Sequence, residues 1–478
     1  MWFGNGRAWL PLLFLCSFSA RGFNVDDHTE KANDLYRNGR LLEAEAMYRL
    51  VLDHQADHAD VACNLGSLLQ DLNRPDEAIE SYRSAIAAQP NHADAHFNLG
   101  VMYQDGLRLS DSEESYMRAL SLDPEHPEAT ANLGSVLQAQ DKFEEAEEAY
   151  RTAIEVVGTA PSLDDDERIG MLMTLHYSLG TILDRFEVTS GVCHGGVPCK
   201  DAAISAYQTT LKYNPDHALA LHALAAHLAD GSVTTASREY VTTLFDDYAD
   251  TFDESLTGLE YRAPDAVAAA LYDVIKKRYK SNGKTPQRAE LRTTLDAGCG
   301  TGLLGTLLRS MTHTLIGVDL SKKMVARAHE REIYDELIVG DIEETLVSLK
   351  GRLIDLVAAA DVFVYFGDMK GIFEKVAEVL TPGGFFTFTT ELLEEASLSE
   401  ASAGFHLQSS GRFSHTKGYL GKLAMESGFA VVHHESIVPR IELGKPIKGQ
   451  LFVFSLMFKF THEGERGNAT EQNTKVTG

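Results

Sequence analysis

Cysteine is scarce in this chain: five residues (Cys16, Cys63, Cys193, Cys199 and Cys299) among 478. That is too few for a disulfide framework to stand in for a hydrophobic core. Basic residues are also in deficit, 43 Lys and Arg against 70 Asp and Glu, giving a net charge of −27. No basic stripe interrupts the acidic balance, and phosphate backbones need one, so a nucleic-acid partner is not expected. Long apolar runs are missing too. The N-terminal run 8–16 contains Pro11 and falls short of the roughly 20 residues that a membrane helix requires, so no transmembrane segment is expected. Hydrophobic residues nevertheless make up 44% of the chain and aromatics 9%. Disorder over most of the length is thereby excluded, and the length leaves room for two or three domains.

Residues 1–25 contain no Asp or Glu, carry Arg7 and Arg21, and end their apolar run in Ser17-Phe18-Ser19-Ala20. This is the layout of a secretory signal peptide; plastid or mitochondrial import and a cytoplasmic location are the alternatives.

Residues 26–230 are repetitive. Asn64-Leu65-Gly66, Asn98-Leu99-Gly100 and Asn132-Leu133-Gly134 recur at 34-residue intervals, as do Tyr48, Tyr82, Tyr116 and Tyr150. Ala44, Ala78 and Ala146 keep the same interval, with Ser112 in the equivalent slot, and Pro90 and Pro124 close their units. Small residues suit helix contacts, and proline ends a helix. A fifth unit, with Leu179-Gly180, Ala203, Tyr207 and Pro215, is displaced by two insertions. One holds Asp164-Asp165-Asp166-Glu167 and the other Cys193 to Cys199. Two cysteines and His194 are too few for a metal site, and a disulfide there requires an oxidising compartment. Residues 218–228 read as a capping helix. The repeat resembles the tetratricopeptide repeat, which implies a helical solenoid holding a protein or peptide partner.

Beyond connecting helices at 231–290, short apolar runs alternate with helical stretches. Strands are expected at 292–295, 314–319, 336–340, 355–359, 384–389, 430–438 and 450–458, the last two joined by a hairpin. After the first strand stands Asp296-Ala297-Gly298-Cys299-Gly300-Thr301-Gly302. Such a turn lets backbone amides approach a ligand at a helix start. Gly300, Gly302 and Gly305 also fit a dinucleotide fingerprint, so a nicotinamide ligand is an alternative at this point. Asp319-Leu320 closes the second strand, Asp341-Ile342 follows the third, Ala360-Asp361 the fourth, and Thr381-Pro382-Gly383-Gly384 precedes the fifth. All lie at the carboxyl ends of strands, where open α/β sheets bind ligands.

Over residues 244–460 this order resembles the class I S-adenosylmethionine-dependent methyltransferases, in particular tetratricopeptide-containing ones related to the ubiquinone/menaquinone-biosynthesis type. The segments 244–253, Tyr261-Arg262-Ala263-Pro264 and 410–415 carry the closer likeness. The resemblance implies a Rossmann-like seven-stranded domain at 291–460 after the solenoid, with a disordered tail at 461–478. It also implies an S-adenosylmethionine site formed by Asp296, Gly298, Gly300, Gly302, Asp319, Leu320, Asp341, Ile342 and Ala360. Met324 would lie on the adenine, and Tyr248 with Phe252, on a lid at 240–253, would face the cofactor. No metal is implied.

Methyl transfer from a sulfonium needs mainly positioning and exclusion of water, with a base only where the nucleophile starts protonated. Residues 404–415 lie where this fold inserts acceptor-binding elements. There Arg412 suits a carboxylate clamp and His415 a base, and Tyr365 lies at the mouth of the fourth strand. The fourth strand ends in Ala-Ala-Asp-Val-Phe rather than an amide- or adenine-methylating motif. The expected acceptor is therefore a small molecule with an oxygen, sulfur or carboxylate nucleophile. A protein acceptor recruited by the repeats and a non-catalytic scaffold are the alternatives.

Overall fold

The computed structural model describes residues 23–189, 193, 198–228, 231–281, 291–395, 403–442 and 444–457. The signal-like start, the tail and most of the cysteine loop lie outside the described residues. The chain divides into two compact units, Met1–Tyr213 and Asn214–Gly478.

The first unit is a stack of five helix pairs: α1 (Val25–Arg37) with α2 (Leu41–His54), α3 (Ala59–Asp71) with α4 (Pro75–Ala88), α5 (Ala93–Asp105) with α6 (Leu109–Leu122), α7 (Pro127–Ala139) with α8 (Phe143–Thr159), and α9 (Asp165–Thr189) with α10 (Cys199–Tyr213). The repeat has a steric basis. A Cβ on Gly66, Gly100, Gly134 or Gly180 would lie 2.6–2.7 Å from the ring of Tyr82, Tyr116, Tyr150 or Tyr207. Only a bare backbone lets the tyrosine of the second helix seat against the first. Where Ser112 replaces the usual alanine, its Oγ donates to the carbonyl of Gly100 at 2.8 Å. Each turn within the first four pairs holds one residue at positive φ: Gly39, Asn73, Leu107 and Asp141. His58, His92 and His126 cap the first helices of successive pairs, each Nδ1 accepting an amide at 3.3–3.4 Å. The first insertion is largely absorbed into longer helices, 17 residues in α8 and 25 in α9. A disulfide joins Cys193 to Cys199 across the second.

The expected capping helix, α11 (Ala218–Leu228), belongs to the second unit. Its His222 ring hydrogen-bonds the carbonyl of Gly411 at 2.7 Å, a contact across 189 residues that local pattern does not encode. Then come α12 (Arg238–Tyr248), α13 (Phe252–Gly258) and α14 (Ala263–Ser281). Strands and helices alternate from there: β1 (Leu291–Ala297), α15 (Leu303–Leu308), β2 (Thr312–Asp319), α16 (Lys322–Glu330), β3 (Glu336–Val339), α17 (Ile342–Ser348), β4 (Ile354–Ala359), α18 (Lys370–Val379) and β5 (Leu380–Leu392). The chain continues through β6 (Phe405–Leu407), β7 (Phe413–His415), α19 (Lys417–Glu426), β8 (Phe429–Ile437), β9 (Ile441–Glu442), β10 (Lys445–Pro446) and β11 (Gly449–Leu456).

The sheet order is β3-β2-β1-β4-β5-β11-β8. The pairs among β1 to β5 are parallel, and β11 runs antiparallel between β5 and β8. One face buries Phe363, Phe373, Phe386, Phe388 and Phe454; the other packs Val267, Leu271 and Leu308 against Leu315 and Leu356. All seven expected strands are present. The short β6–β7 hairpin was not expected. Because β11 occupies one edge of β5 as far as Glu391, the pairing of β7 with Glu391 and Leu392 puts it on the other edge, beyond the end of β4. The hairpin thus stands over the carboxyl ends of the strands.

Candidate active site

The glycine turn after β1 is shaped by two close approaches and one opening. A Cβ on Gly298, at φ +70°, would lie 2.5 Å from Val362; Gly300, at φ +52°, has nothing within 4 Å of its Cβ position. Left-handed backbone therefore requires glycine at both, and the second leaves open space for a ligand. A Cβ on Gly305 would lie 2.1 Å from the Tyr334 hydroxyl. That third glycine is explained by Tyr334, whose hydroxyl donates to Asp296 Oδ2 at 2.7 Å. Tyr334 was not singled out in the sequence, and its distance from the turn gives no signal there.

Asp319 receives two backbone amides, Gly300 N on Oδ2 and Ser321 N on Oδ1, both at 2.9 Å. Burial pushes its carboxyl up, and those amides pull it back. Asp296 is 1% exposed. Its Oδ1 has no hydrogen-bond partner among the described residues. Burial pushes this carboxyl up to about 7, against the Tyr334 hydrogen bond and reinforced by Asp319. A buried acceptor without a donor is costly. The site thus fits a ligand that brings a hydrogen-bond donor or cation to Asp296 beside an open glycine turn. Asp341 caps α17 through Oδ1, accepting Glu344 N at 3.1 Å, and its Oδ2 lies 3.3 Å from Arg238 Nε. Leu320 and Ala360 are half-buried at their strand ends, and Ile342 is buried.

Three readings need correction. Met324 is fully buried on α16, with none of its surface exposed to the crevice. Tyr248 is 48% exposed, and it is Phe245 that turns inward, meeting Tyr365 edge-on at 5.5 Å and Phe252 at 6.2 Å. His415 is fully buried; its Nδ1 lies 2.7 Å from Thr390 Oγ1 and its Nε2 3.0 Å from the carbonyl of Gly367. Burial pushes its pKa down to about 4, so the ring is neutral and ties β7 to β5 and to the loop after β4. With both nitrogens occupied, it cannot reach an acceptor as a base.

Arg412 and Tyr365 do come together, in a cluster that also holds Tyr261, Asp361, Glu391, Arg440 and Glu442. Arg440, 1% exposed, donates Nη1 to both oxygens of Asp361 at 2.8 and 2.9 Å, Nη2 to Glu391, and Nε to Glu442 at 2.6 Å. Arg412 Nη1 donates to Glu442. Two guanidinium groups thus face three carboxylates. Burial pushes the Glu391 carboxyl up, whereas the two arginines outweigh burial at Glu442 and hold it down. Burial also raises Tyr365, although Arg412, which donates to it, draws it back, so the phenol is protonated at neutral pH and retains a proton to donate. Asp361 sits at φ +60°, its amide held by Thr389 Oγ1 at 2.8 Å. Arg440 lies in the turn after β8, where no sequence motif marks it.

Comparison with known proteins agrees with this geometry. The family model described as "Methyltransferase domain" matches residues 295–388, and "TPR repeat" and "Tetratricopeptide repeat" models match 66–106 and 103–162. The second unit carries a class I methyltransferase domain, and the first is a tetratricopeptide stack. The malonyl-[acyl-carrier protein] O-methyltransferase of Serratia marcescens is 27% identical over 179 residues, covering 37% of this chain and 67% of that protein. The 18S rRNA (guanine-N(7))-methyltransferase RID2 of Arabidopsis thaliana is 40% identical over 70 residues, covering 15% and 24%. Among solved structures, MamA is 20% identical with a TM-score of 0.32, covering 39% of this chain and 96% of its own. The chain spans between 38% and 67% of the length of three malonyl O-methyltransferase relatives. Among the described residues, no helix is long and apolar enough to cross a membrane, and no three His, Cys, Asp or Glu are grouped to hold a metal.

Proposed function

We propose that this methyltransferase domain uses S-adenosylmethionine and methylates an oxygen nucleophile, a carboxylate or hydroxyl, on a small or carrier-bound acceptor. The observation that carries the cofactor reading is the unpartnered Asp296 Oδ1 beside the glycine turn. An α-ammonium group supplies the donor it lacks. In this reading Asp319 takes the ribose hydroxyls and Asp341 the adenine amino group, as carboxylates at strand ends do. When bound, the cofactor supplies an electrophilic methyl on sulfur. The chain supplies position: Tyr365 donates to the acceptor oxygen, Arg412 draws a carboxylate toward it by exchange with Glu442, and the lid excludes water. The oxygen acceptor draws support from the named activity of the malonyl O-methyltransferase relatives. A net charge of −27 speaks against a nucleic-acid acceptor.

The repeats are proposed to hold a protein or peptide partner, since such stacks expose one long continuous face. A secretory route is proposed for the chain, supported by the acid-free N-terminus and the Cys193–Cys199 disulfide. Thiol titration of the chain isolated without reductant checks that pairing.

Calorimetric titration of the full chain with S-adenosylmethionine tests the cofactor. Micromolar binding that weakens at least 100-fold in Asp319→Ala is expected; absence of binding, or binding of NAD instead, refutes the reading. Label transfer to malonyl-carrier protein, compared with a simple amine, tests the oxygen preference.

A further inference from the structure

The lid is held differently from the rest of the second unit. No residue of α12 is fully buried. Its apolar side, Tyr240, Val241, Leu244 and Phe245, lies half-buried over Val364 and Tyr365. Charged side chains of α12 and α13 together reach the three loops that form the crevice. Arg238 Nε lies 3.3 Å from Asp341 Oδ2 after β3, and its Nη2 2.7 Å from Glu344. After β2, Ser321 Oγ donates to Asp246, whose carbonyl accepts Lys323 Nζ at 3.0 Å. After β1, Thr301 Oγ1 donates to Asp253 at 2.6 Å, and Arg331 Nη2 reaches the same carboxylate. Between these, Asp250 accepts Arg327 Nη2 at 2.7 Å. Asp246 on α12, Asp250 in the turn after it and Asp253 on α13 are met by Lys323, Arg327 and Arg331, which follow one another four residues apart along α16 and its C-terminal cap. Ser321 and Thr301 are 1% and 4% exposed, so the two ties end on buried hydroxyls inside the loops.

We propose that α12–α13 is a strap fastened once to each cofactor loop, and that Arg238, Asp246 and Asp253 are positioning residues whose release gates cofactor entry and exit. The proposal rests on the S-adenosylmethionine reading for the identity of what is gated. Its physics is local. A segment with shallow apolar packing and charged, solvent-reachable ties opens ahead of the sheet beneath it, and the ties set how often. Ser321 also carries the amide that holds Asp319, so loosening Asp246 reaches the cofactor-binding carboxylate through one residue. The contacts made by Arg238, Arg327 and Arg331 are ionic, so salt weakens them.

The test uses the full chain and a variant combining Arg238→Gln, Asp246→Asn and Asp253→Asn. Stopped-flow displacement of S-adenosylmethionine is expected to show an off-rate at least tenfold higher in the variant. Raising sodium chloride from 0.05 to about 0.5 M should speed release from the natural chain more than from the variant, which keeps the Asp250–Arg327 pair. Equal off-rates and equal salt responses overturn the gate. Hydrogen exchange without cofactor provides the second arm: amides of 240–253 should exchange at least tenfold faster in the variant, with β1 to β5 unaffected. Unchanged exchange there overturns the strap. If the natural chain fails to bind S-adenosylmethionine, the cofactor reading falls, and hydrogen exchange still decides whether the strap is held by these ties.

Discussion

Replacing Arg440 with methionine probes the acceptor-end cluster most directly. The substitution keeps an apolar stem of similar reach and removes the charge that Asp361, Glu391 and Glu442 share. Glu442 retains Arg412, but Asp361 and Glu391, with side chains 14% and 11% exposed, lose their direct ion pair. Removing one partner of a buried ion pair costs about 3–5 kcal/mol, because the remaining charge stays desolvated. The lower end applies here, since burial already favours protonation of Glu391 and the variant can neutralise it. At roughly 2–4 °C per kcal/mol for a unit of this size, the transition of the second unit should fall by about 10 °C. Scanning calorimetry of the full chain reads this, with the solenoid transition as internal reference. The pH dependence follows from Glu442. Its carboxyl is held low in the folded state, so it contributes stability above the ordinary carboxylate range and loses it as pH falls through the folded pKa. The variant lacks part of that contribution. The gap between natural chain and variant should therefore be full above about pH 5 and narrow as pH falls below about 4.5 toward the folded pKa. A deficit below about 1 kcal/mol, or one that does not change with pH, would refute the reasoning.

Other consequences are equally specific. Gly134→Ala gains about 1 kcal/mol of helix propensity but forces a Cβ to within 2.7 Å of Tyr150, so a net loss of about 1–2 kcal/mol in urea unfolding is expected; stabilisation would contradict the steric account of the repeat. Leu107 is 59% exposed at φ +56°, and Leu107→Gly should stabilise the solenoid by about 0.5–1 kcal/mol, which thermal unfolding by circular dichroism can detect. Asp296, with its carboxyl at about 7, destabilises the free chain as pH rises through that value. An ammonium docking there expels the proton, so the binding enthalpy of S-adenosylmethionine at pH 6.5 should vary with the ionisation enthalpy of the buffer, and Asp296→Asn should abolish the variation.

Periodicity and spacing made much of this protein legible. The 34-residue interval of glycine and tyrosine encodes the solenoid because each pair is one steric contact repeated, and a repeated contact leaves a repeated residue. The glycine turn and the carboxylates at strand ends are readable for a similar reason: each is a short segment whose backbone geometry few residues permit. Asp296 and Asp319 stand out as candidates in the sequence because each closes a strand beside a turn. What the chain order did not carry are contacts between distant segments. Arg440 sits 79 residues from Asp361 and 49 from Glu391, and only the sheet order, with β11 between β5 and β8, draws them together. Tyr334 reaches Asp296 from beyond β2 and explains a glycine that the sequence left ambiguous. His415 has the chemistry of a base in sequence, and the β6–β7 hairpin seals it in the core. Short-range geometry is written in residue type, whereas burial and charge pairing depend on which strands become neighbours, and that is settled only when the sheet assembles.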